Sequence, residues 1–329
     1  MSLKKDTEIH TSGAKIEILR DKNRKIIRKS FEGNTSKIEF QYSWLLKHQH
    51  LSFIPKVFNS KKEISRFSYE MEYYQNYSAL SDLFYSKSPL PTERLEKLMA
   101  QLLGILDQIH GPTKTVYSRA LGEKYLKEKV FDKLAYSAKE SSVVNDLLKF
   151  ESLNINGVEI SGWPLLAKKL KEESVIERLG HFNETEVHGD FTLDNILINE
   201  KDEMIVLDPN NENFIASPSV DIAKLFQSFH SQYEGLCKLD SVVIEGNSIS
   251  YQSVGDKNLL ISYQILERIY RDRNQLLDIL LHEAIHFSRL LPYRIRAAKE
   301  LTPIFLAVTL QNFNHYFAQY ERSSQAVVQ

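Results

Sequence analysis

Two short apolar runs separated by a polar segment constrain the fold of this chain more than any other feature of its sequence. The runs are residues 196–198 and 204–207, and the polar segment between them is 199–203. Apolar runs of this length on either side of a polar loop predict a β-hairpin. If the strands pair symmetrically about the loop, Asn195 lies opposite Asp208, and directly opposed residues are roughly 4.5–5.5 Å apart at Cα. An amide oxygen and a carboxylate at that spacing predict a magnesium site.

A short motif immediately before this hairpin supplies a further carboxylate. His188-Gly189-Asp190 is followed by Asn195, with four residues between the aspartate and the asparagine. Glycine and aspartate also favour ordinary turns, so the tripeptide alone has a purely structural explanation. Together with Asn195 and Asp208, however, the pattern resembles the HGDxxxxN signature of the aminoglycoside phosphotransferase and choline kinase family, whose fold is protein-kinase-like.

The resemblance implies a role for each matching residue. In that family the aspartate of the motif is the catalytic base, which corresponds to Asp190. The asparagine is a metal ligand, here Asn195, and the aspartate that ends the next hairpin is the main metal ligand, here Asp208. Residues 217–225 resemble a further stretch of the family in which an aspartate, here Asp221, braces the catalytic loop. ATP and Mg²⁺ are therefore the expected cofactors.

The distribution of strand and helix patterns agrees with the fold that the resemblance implies. Alternating apolar residues predict two strands, 16–20 and 25–29, around a polar turn, and the first 75 residues favour strands with one helix. The rest of the chain favours helices. The expected fold is α+β with two lobes: a nucleotide-binding lobe of residues 1–74, and a mostly helical catalytic and acceptor-binding lobe of residues 75–329.

Loop and hinge residues are expected to contact the nucleotide through their backbone. Ser12 and Gly13 precede the first predicted strand, where a kinase-like lobe has its nucleotide-covering loop, although a single glycine fits an ordinary loop equally well. Residues 67–74 predict the last strand of the small lobe as it enters the hinge. In this fold the hinge backbone, from Glu72 to Tyr74 here, binds adenine.

Two charged side chains of the small lobe are candidates for phosphate binding. Lys29 aligns with the strand lysine that contacts the α- and β-phosphates in the family, and Arg28 is the alternative on the opposite face of the strand. Glu39, on the following helix, is the predicted ion-pair partner of Lys29. Residues 36–39 also fit a capping box, in which Glu39 would instead accept from the Ser36 backbone amide.

Composition excludes several classes of protein. The chain has 329 residues, 42% hydrophobic and 26% charged, which is ordinary for a globular protein. Its 42 basic and 43 acidic residues give a net charge of −1, so no basic field attracts nucleic acid or a membrane surface. A lone cysteine, Cys237, excludes an intrachain disulfide and favours a reducing compartment. No secretory signal and no membrane span are recognisable, so we expect a cytoplasmic protein.

A rival motif lies in the C-terminal third of the chain. His282-Glu283-Ala284-Ile285-His286 matches HExxH, in which two histidines one helical turn apart bind zinc and the glutamate is a base. A zinc hydrolase is therefore an alternative function. The other explanation is a polar helix face, because C-terminal helices enclose the acceptor site in the family that the chain resembles. On that explanation His282, His286, Tyr293 and Arg294 are candidate substrate-binding residues.

The expected function is transfer of the ATP γ-phosphoryl group to a hydroxyl of a small molecule. In the family that the chain resembles, sugar and metabolite kinases sometimes have Asp-Pro, here Asp208-Pro209, in place of a more common Asp-Phe-Gly-like ending. The resemblance therefore implies a sugar, amino-sugar or polyol acceptor, with a choline-like molecule as a further class. Residues 221–230 are similar to phosphotransferase-like proteins of bacterial surface-polysaccharide biosynthesis. A catalytically silent relative that binds nucleotide or a partner is the second alternative, because the glycine loop is sparse and the fit of Lys29 is loose.

Overall fold

The computed structural model describes residues 4–10, 14–21, 24–86, 88–252 and 254–328. The chain divides into two compact units. Met1–Leu83 and His188–Asn213 form the first unit, and Phe84–Val187 and Phe214–Gln329 form the second. The first unit is rich in strands and the second in helices, so the predicted α+β class is confirmed. The lobe boundary predicted at residue 74 stays a prediction.

The elements are numbered in chain order. The strands are β1 Lys4–His10, β2 Lys15–Asp21, β3 Arg24–Glu32, β4 Val57–Lys62, β5 Arg66–Glu72, β6 Ser78–Ala79, β7 Lys114–Tyr117, β8 Ser152–Ile155, β9 Val158–Ser161, β10 His181–Glu184, β11 Ile196–Ile198, β12 Met204–Val206, β13 Val243–Glu245 and β14 Ser248–Ser250. The α-helices are α1 Ser36–His48, α2 Leu80–Phe84, α3 Thr92–His110, α4 Arg119–Leu126, α5 Asp132–Glu140, α6 Ser142–Leu147, α7 Trp163–Lys169, α8 Glu173–Gly180, α9 Pro218–Phe229, α10 Tyr233–Leu236, α11 Lys257–Asp272, α12 Leu276–Ala297 and α13 Thr302–Val328.

An antiparallel sheet in the order β1-β2-β3-β5-β4 is the frame of the first unit. The predicted pairing of the two strands near residues 16–20 and 25–29 is confirmed, because Ile18 lies opposite Ile27. Helix α1 follows β3 and buries the side chains of Ile38, Trp44 and Leu45. These apolar positions recur at helical spacing, so one face of α1 is removed from water. A second sheet, ordered β12-β11-β6, carries the hairpin predicted from the two apolar runs.

Helices build the core of the second unit. In α3 an apolar stripe that includes Leu95, Leu98 and Leu102 is fully buried, and the helix ends before Gly111 at a positive φ of 58°. Near the C-terminus the chain forms its two longest described helices, α12 and α13. Strand β7 pairs with β10, and a further sheet has the order β13-β14-β8-β9. None of the helices in the described part of the chain is long and apolar enough to cross a membrane.

Candidate active site

The hairpin of β11 and β12 sets the positions of Asn195 and Asp208. Ile196 lies opposite Val206, and the Leu207 N–H donates to Asn195 O at 2.8 Å. Asn195 therefore faces Leu207, and the predicted opposition of Asn195 and Asp208 is wrong by one residue. The loop is residues 199–203, as predicted, and strands that pair symmetrically about it bring Ile198 opposite Met204 and Asn195 opposite Leu207. The hairpin ends before Asp208, whose φ of +59° lies in the left-handed region that aspartate tolerates better than most residues.

The His188-Gly189-Asp190 loop is fixed to the segment that follows β12. His188 is fully buried, and its Nε2 lies 2.8 Å from Leu207 O while its Nδ1 accepts from the Asp190 N–H at 3.3 Å. This pair of contacts assigns the proton to Nε2. The Asn210 N–H donates to His188 O at 2.8 Å. Gly189 has a φ of +78°, and a Cβ there would lie 1.9 Å from Asn210 O, so only glycine fits this turn.

Asn195 and Asp190 are joined directly. The Asn195 amide Nδ2 donates to the Asp190 backbone oxygen at 2.8 Å and to its carboxylate Oδ2 at 3.0 Å. Both contacts use the nitrogen of the amide, which leaves the amide oxygen as the part of Asn195 suited to a cation. The same contacts fix the orientation of the Asp190 carboxylate.

Lys29 reaches the end of the hairpin from strand β3. Its Nζ donates to Asp208 Oδ1 at 2.6 Å, and the Lys29 side chain is 6% exposed against 37% for Asp208. Arg28 projects from the opposite face of β3 and binds Glu70 on the neighbouring strand, with Nη2 at 2.6 Å from Oε1. Strand alternation therefore brings Lys29, and not Arg28, to Asp208.

The predicted ion pair between Lys29 and Glu39 is wrong. Glu39 accepts from Lys62 Nζ at 2.7 Å and from the Thr35 hydroxyl at 2.6 Å. Both hydrogen bonds lower the pKa of the Glu39 carboxyl, and the one from Lys62 has the larger effect. Glu39 lies in the first turn of α1, so it turns back toward Thr35 and toward the end of β4, where Lys62 is located.

The capping box predicted over residues 36–39 is also not formed. The Ser36 N–H donates to Asn34 Oδ1 at 3.2 Å, so it is not the amide that Glu39 binds. Glu39 does reach back to the start of its helix, as the capping-box alternative required, but its partner is the hydroxyl of Thr35. Whether Glu39 takes part in nucleotide binding stays a prediction.

The other nucleotide-contacting predictions concern backbone groups. Ser12 and Gly13 lie outside the described residues. The Glu72 N–H donates to Lys56 O at 3.0 Å, so this amide already has a partner within the protein. The Tyr74 hydroxyl donates to Glu72 Oε2 at 3.1 Å, which orders the side chains of the predicted hinge. The hinge contacts of Glu72 and Tyr74 with adenine stay predictions.

The histidines of the HExxH motif lie inside the second unit. His282 is 4% exposed and His286 is 1% exposed. Burial, helped by the charge of Arg289, lowers the pKa of His282 to about 4. Burial, Lys224 and Arg289 together lower the pKa of His286 well below its usual value. Both imidazoles are therefore neutral core groups, and their burial argues against the prediction that they contact an acceptor.

Glu283, the glutamate of the motif, is engaged elsewhere. It is fully buried and accepts from His230 Nδ1 at 3.0 Å and from the Ser231 hydroxyl at 2.6 Å. His286 Nε2 lies 3.1 Å from Val220 O. Within the part of the chain that the structure describes, no cluster of three or more His, Cys, Asp or Glu side chains could hold a metal ion. The zinc-hydrolase alternative therefore has no site.

The two remaining substrate candidates differ in exposure. Tyr293 is 49% exposed. Arg294 lies over the ring of Phe305 at 4.4 Å from its centroid and donates to the Tyr233 hydroxyl at 3.0 Å. Those contacts occupy the guanidinium group within the second unit. Acceptor binding by Tyr293 and Arg294 stays a prediction.

Two residues of the first unit were not assigned to the site from the sequence. Lys62 holds Glu39, and the Trp44 ring meets the His188 ring edge-on at 5.4 Å. The Trp44-Leu45 pair that follows Glu39 was a usable signal for the second contact, because it places an aromatic residue on the buried face of α1. No local pattern indicated Lys62, which lies 23 residues from Glu39.

The fold defined by these elements is that of the protein-kinase-like aminoglycoside phosphotransferases, as the sequence resemblance implied. A thermostable mutant of aminoglycoside phosphotransferase APH(4)-Ia in its apo form is similar with a TM-score of 0.51 and 12% identity, over 94% of both chains. A candidate aminoglycoside phosphotransferase from Ralstonia eutropha JMP134 gives a TM-score of 0.54 and 12% identity, over 96% of this chain and 93% of that one.

A third similar structure contains ligands. It is a thermostable mutant of APH(4)-Ia in a ternary complex with AMP-PNP and hygromycin B, with a TM-score of 0.50 and 12% identity, over 93% of this chain and 92% of that one. No protein-family model and no curated protein matches the sequence. At this level of identity the likeness establishes the fold.

Proposed function

We propose that this protein is a small-molecule kinase that transfers the γ-phosphoryl group of ATP, with Mg²⁺, to a hydroxyl group. The observation that carries the proposal is a connected set of side chains in the first unit. Lys29 binds Asp208, and Asn195 binds Asp190, while the backbone bond from Leu207 to Asn195 joins the two pairs at the end of one hairpin. Kinase-like enzymes use a lysine, an asparagine and two aspartates for phosphoryl transfer.

The donor atoms at the end of the hairpin fit magnesium. Asp208 offers a partly exposed carboxylate and Asn195 an amide oxygen, and Mg²⁺ binds through one or two such oxygen ligands together with substrate phosphates. A bound Mg²⁺ would neutralise the negative charge of the phosphates. In this proposal Lys29 holds the non-transferred phosphates, and its present contact with Asp208 is exchanged for them.

Asp190 is the proposed base. The Asn195 amide and the turn at Gly189 fix the position of its carboxylate, which is partly exposed. Asp190 would accept a hydrogen bond from the acceptor hydroxyl, orient its oxygen toward the γ-phosphorus and take its proton. Positioning and charge neutralisation supply most of the rate in this chemistry, so few protein groups are required.

The acceptor proposed is a sugar, amino-sugar, polyol or choline-like molecule. The support is the shared fold of a phosphotransferase that was crystallised with AMP-PNP and hygromycin B. By the family resemblance, the Asp208-Pro209 sequence supports a sugar, amino-sugar or polyol acceptor. A link to surface-polysaccharide biosynthesis is consistent with a sugar acceptor and is part of the proposal.

The test is ADP release with a panel of hydroxylated metabolites, comparing the native protein with Asp190→Asn. We expect kcat to fall by about 10²–10⁴-fold, because a positioned base typically contributes that factor. Stabilisation by Mg·ATP should persist. Asp202→Asn is the matched control, because it changes an aspartate of the same hairpin at a left-handed position that asparagine also adopts. Near-native turnover by Asp190→Asn would overturn the proposal.

A catalytically silent nucleotide-binding protein is the second candidate. The observation that favours it is the engagement within the protein of Lys29, the phosphate-binding candidate, by Asp208, and of its predicted partner Glu39 by Lys62. This alternative predicts thermal stabilisation by Mg·ATP without ADP release from any member of the panel. Turnover with one acceptor would eliminate it.

A further inference from the structure

The second unit has a surface pocket of about 370 Å³. Its walls are formed by the adjoining ends of β7 and β10, by α8, by the start of α12 and by the C-terminal half of α13. This volume lies at the small end of the range for ligand pockets, roughly 300–1,000 Å³. No residue of the β11–β12 hairpin lines the pocket, which is built from the second unit alone.

Two tyrosine rings and an imidazole line this pocket. Tyr117 lies opposite His181 in the β7–β10 pair, with 6.0 Å between the ring centroids. Tyr117 is 67% exposed, and Tyr320 contributes the second tyrosine ring from α13. Elsewhere in the chain cationic side chains lie over aromatic rings, as Lys169 does over Phe317 at 5.3 Å. Among the described residues, no lysine or arginine covers Tyr117 or Tyr320 in this way.

Acidic side chains outnumber basic ones in the lining. Glu177 and Asp278 line the pocket together with Arg178, whose Nη1 donates to Asp278 Oδ1 at 2.6 Å. In that pair the carboxylate is the more accessible partner, because the Asp278 side chain is 39% exposed and that of Arg178 is 28% exposed. Glu177 is exposed on α8 and forms no ion pair with any described residue. When His181 is neutral, the lining therefore has one uncompensated negative charge.

The charges that border the pocket on the side of β7 and α8 do not offset this excess. Arg119, two residues after Tyr117, binds both Glu123 and Glu173, so two carboxylates face one guanidinium group. At the far ends of β7 and β10, Lys114 lies opposite Glu184. This side of the pocket therefore adds negative charge and no unbalanced cation.

The charges on α13 lead to the same conclusion. Glu321, next to Tyr320, accepts from Lys169 Nζ at 2.8 Å, so that pair is balanced. Arg322 lies about 200° around the helix axis from Tyr320, since each residue turns an α-helix by about 100°. The charge of Arg322 acts on His315 instead. An anion in the pocket would meet repulsion, whereas a cation would find a counter-charge.

Aromatic faces beside an exposed carboxylate suit one class of ligand. The face of a tyrosine ring attracts a cation within about 6 Å of its centroid. A carboxylate accepts hydrogen bonds from ammonium N–H groups and compensates their charge. A metal ion fits less well, because no group of three His, Cys, Asp or Glu side chains among the described residues could hold one.

We propose that this pocket binds a small organic cation through an alkylammonium group. Glu177 supplies the counter-charge, and the rings of Tyr117 and Tyr320 contact the ammonium group and the C–H groups next to it. The site stands independently of the proposed phosphotransfer, because it shares no residue with the hairpin.

The test is ligand-observed NMR with three probes that share a cyclohexane body and differ in charge. Cyclohexylmethylamine is the cation, cyclohexylmethanol is neutral and cyclohexanecarboxylate is the anion. At about pH 8 an ordinary imidazole is neutral while an alkylamine is protonated, so His181 adds no charge.

Three variants dissect the contacts. Tyr117→Leu removes the aromatic face, Tyr117→Phe keeps it, and Glu177→Gln keeps the shape of the side chain without its charge. Tyr136→Leu and Glu140→Gln are matched controls, because both residues are exposed on α5 of the same unit and do not line the pocket. Thermal melts identify the variants that fold like the native protein, which is expected because Tyr117 and Glu177 are exposed.

We expect saturable binding of the amine, weaker binding of the alcohol and the weakest binding of the carboxylate. Tyr117→Leu and Glu177→Gln should each weaken the amine about two- to fivefold, as expected for one exposed cation–ring contact or one exposed ion pair. Tyr117→Phe, both control variants and Asp190→Asn should bind the amine like the native protein.

Four results would each overturn the proposal. The amine shows no saturable binding, or the alcohol or the carboxylate binds at least as tightly as the amine. Folded Tyr117→Leu and Glu177→Gln both bind like the native protein, which would place the probe elsewhere. Tyr117→Phe binds as weakly as Tyr117→Leu, which would assign the contact to the hydroxyl and not to the ring. Asp190→Asn loses binding, which would assign the probe to the hairpin.

Discussion

Lys29 Nζ donates to Asp208 Oδ1 at 2.6 Å across 179 positions of sequence. This contact ties strand β3 to the end of the β11–β12 hairpin, and it uses the carboxylate proposed to hold Mg²⁺. The lysine is almost completely buried, while the carboxylate is more than one-third exposed. In the proposed function, nucleotide and Mg²⁺ exchange partners with this existing ion pair when they bind, which makes the pair a sensitive point for mutation.

Replacing Asp208 by asparagine should separate stability from metal binding. The change keeps the shape of the side chain and removes its charge, so Lys29 loses its ionic partner. Because Lys29 is 6% exposed and keeps its charge, we expect the free energy of unfolding to fall by about 2–3 kcal/mol. Stabilisation by ATP should lose its dependence on Mg²⁺. Thermal melts with ATP, with and without Mg²⁺, measure both effects, and an unchanged Mg²⁺ dependence would contradict the role of Asp208.

Lys29→Met and Arg28→Met form a matched pair on opposite faces of one strand. Lys29→Met should raise the KM for ATP about tenfold or more with little change in stability, because a buried methionine packs in place of the lysine stem. Arg28→Met should leave the KM for ATP unchanged. It should destabilise the protein by about 2–3 kcal/mol, because Glu70 is 9% exposed and loses its ion-pair partner. Equal effects of the two variants on KM would reject the assignment of Lys29.

Gly189→Ala should inactivate the protein more than it unfolds it. The added methyl group would meet Asn210 O at 1.9 Å, and the turn requires a positive φ. We expect the loop to shift away from the segment after β12 and carry Asp190 out of position, with turnover reduced at least about 100-fold. Gly104→Ala is the control, since nothing lies within 4 Å of a Cβ there. In that helix alanine should stabilise by about 0.5–1 kcal/mol.

The pair of His230 and Glu283 predicts a specific dependence of stability on pH. Burial lowers the pKa of His230, but the charge and hydrogen bond of Glu283 outweigh burial and raise the pKa overall. The folded state therefore binds this proton more tightly than the unfolded state does. The contribution of this proton to the free energy of unfolding is complete below pH 6.5, the usual pKa of histidine. It is lost as the pH rises through the pKa of His230 in the folded state. Glu283→Gln should therefore destabilise by about 2–3 kcal/mol at pH 6 and by less at pH 9.

Urea denaturation of the native protein and Glu283→Gln at several pH values measures this difference. Titrating groups that do not interact with the pair, including His282 with its pKa lowered to about 4, cancel when the two proteins are subtracted, whereas the pKa of His315 responds to both His230 and Glu283 and contributes to the difference. A difference in unfolding free energy that stays constant from pH 6 to pH 9 would contradict the raised pKa of His230.

Local patterns in the sequence were sufficient to predict the hairpin, the strand pair around residues 16–29 and the face of β3 that carries Lys29. Each of these depends on alternation or on turn residues that lie within a few positions of one another. The residue predicted opposite Asn195 was off by one although the loop is residues 199–203 as predicted, because strands symmetric about that loop pair residue 195 with residue 207.

Partners distant in the chain were the other source of error. Glu39 was assigned to Lys29 because the family that the chain resembles has a glutamate just before a Trp-Leu pair, here Trp44-Leu45, but Lys62 at the end of β4 binds the same carboxylate. His282 and His286 have the spacing of a zinc motif, and the same spacing of one helical turn also describes a buried face of α12. Only the packing of neighbouring helices distinguishes a zinc motif from a buried helix face. That packing places the rings of His282 and His286 in the core.

The edge-on contact of Trp44 with His188 has a consequence for how the protein responds to change. The imidazole that meets the indole also touches Leu207 O and the Asp190 amide, so a continuous set of contacts joins α1 to the turn that carries Asp190. A substitution or an antibody that tilts α1 is therefore expected to displace Asp190 and, in the proposed function, to lower turnover without contacting ATP or the acceptor.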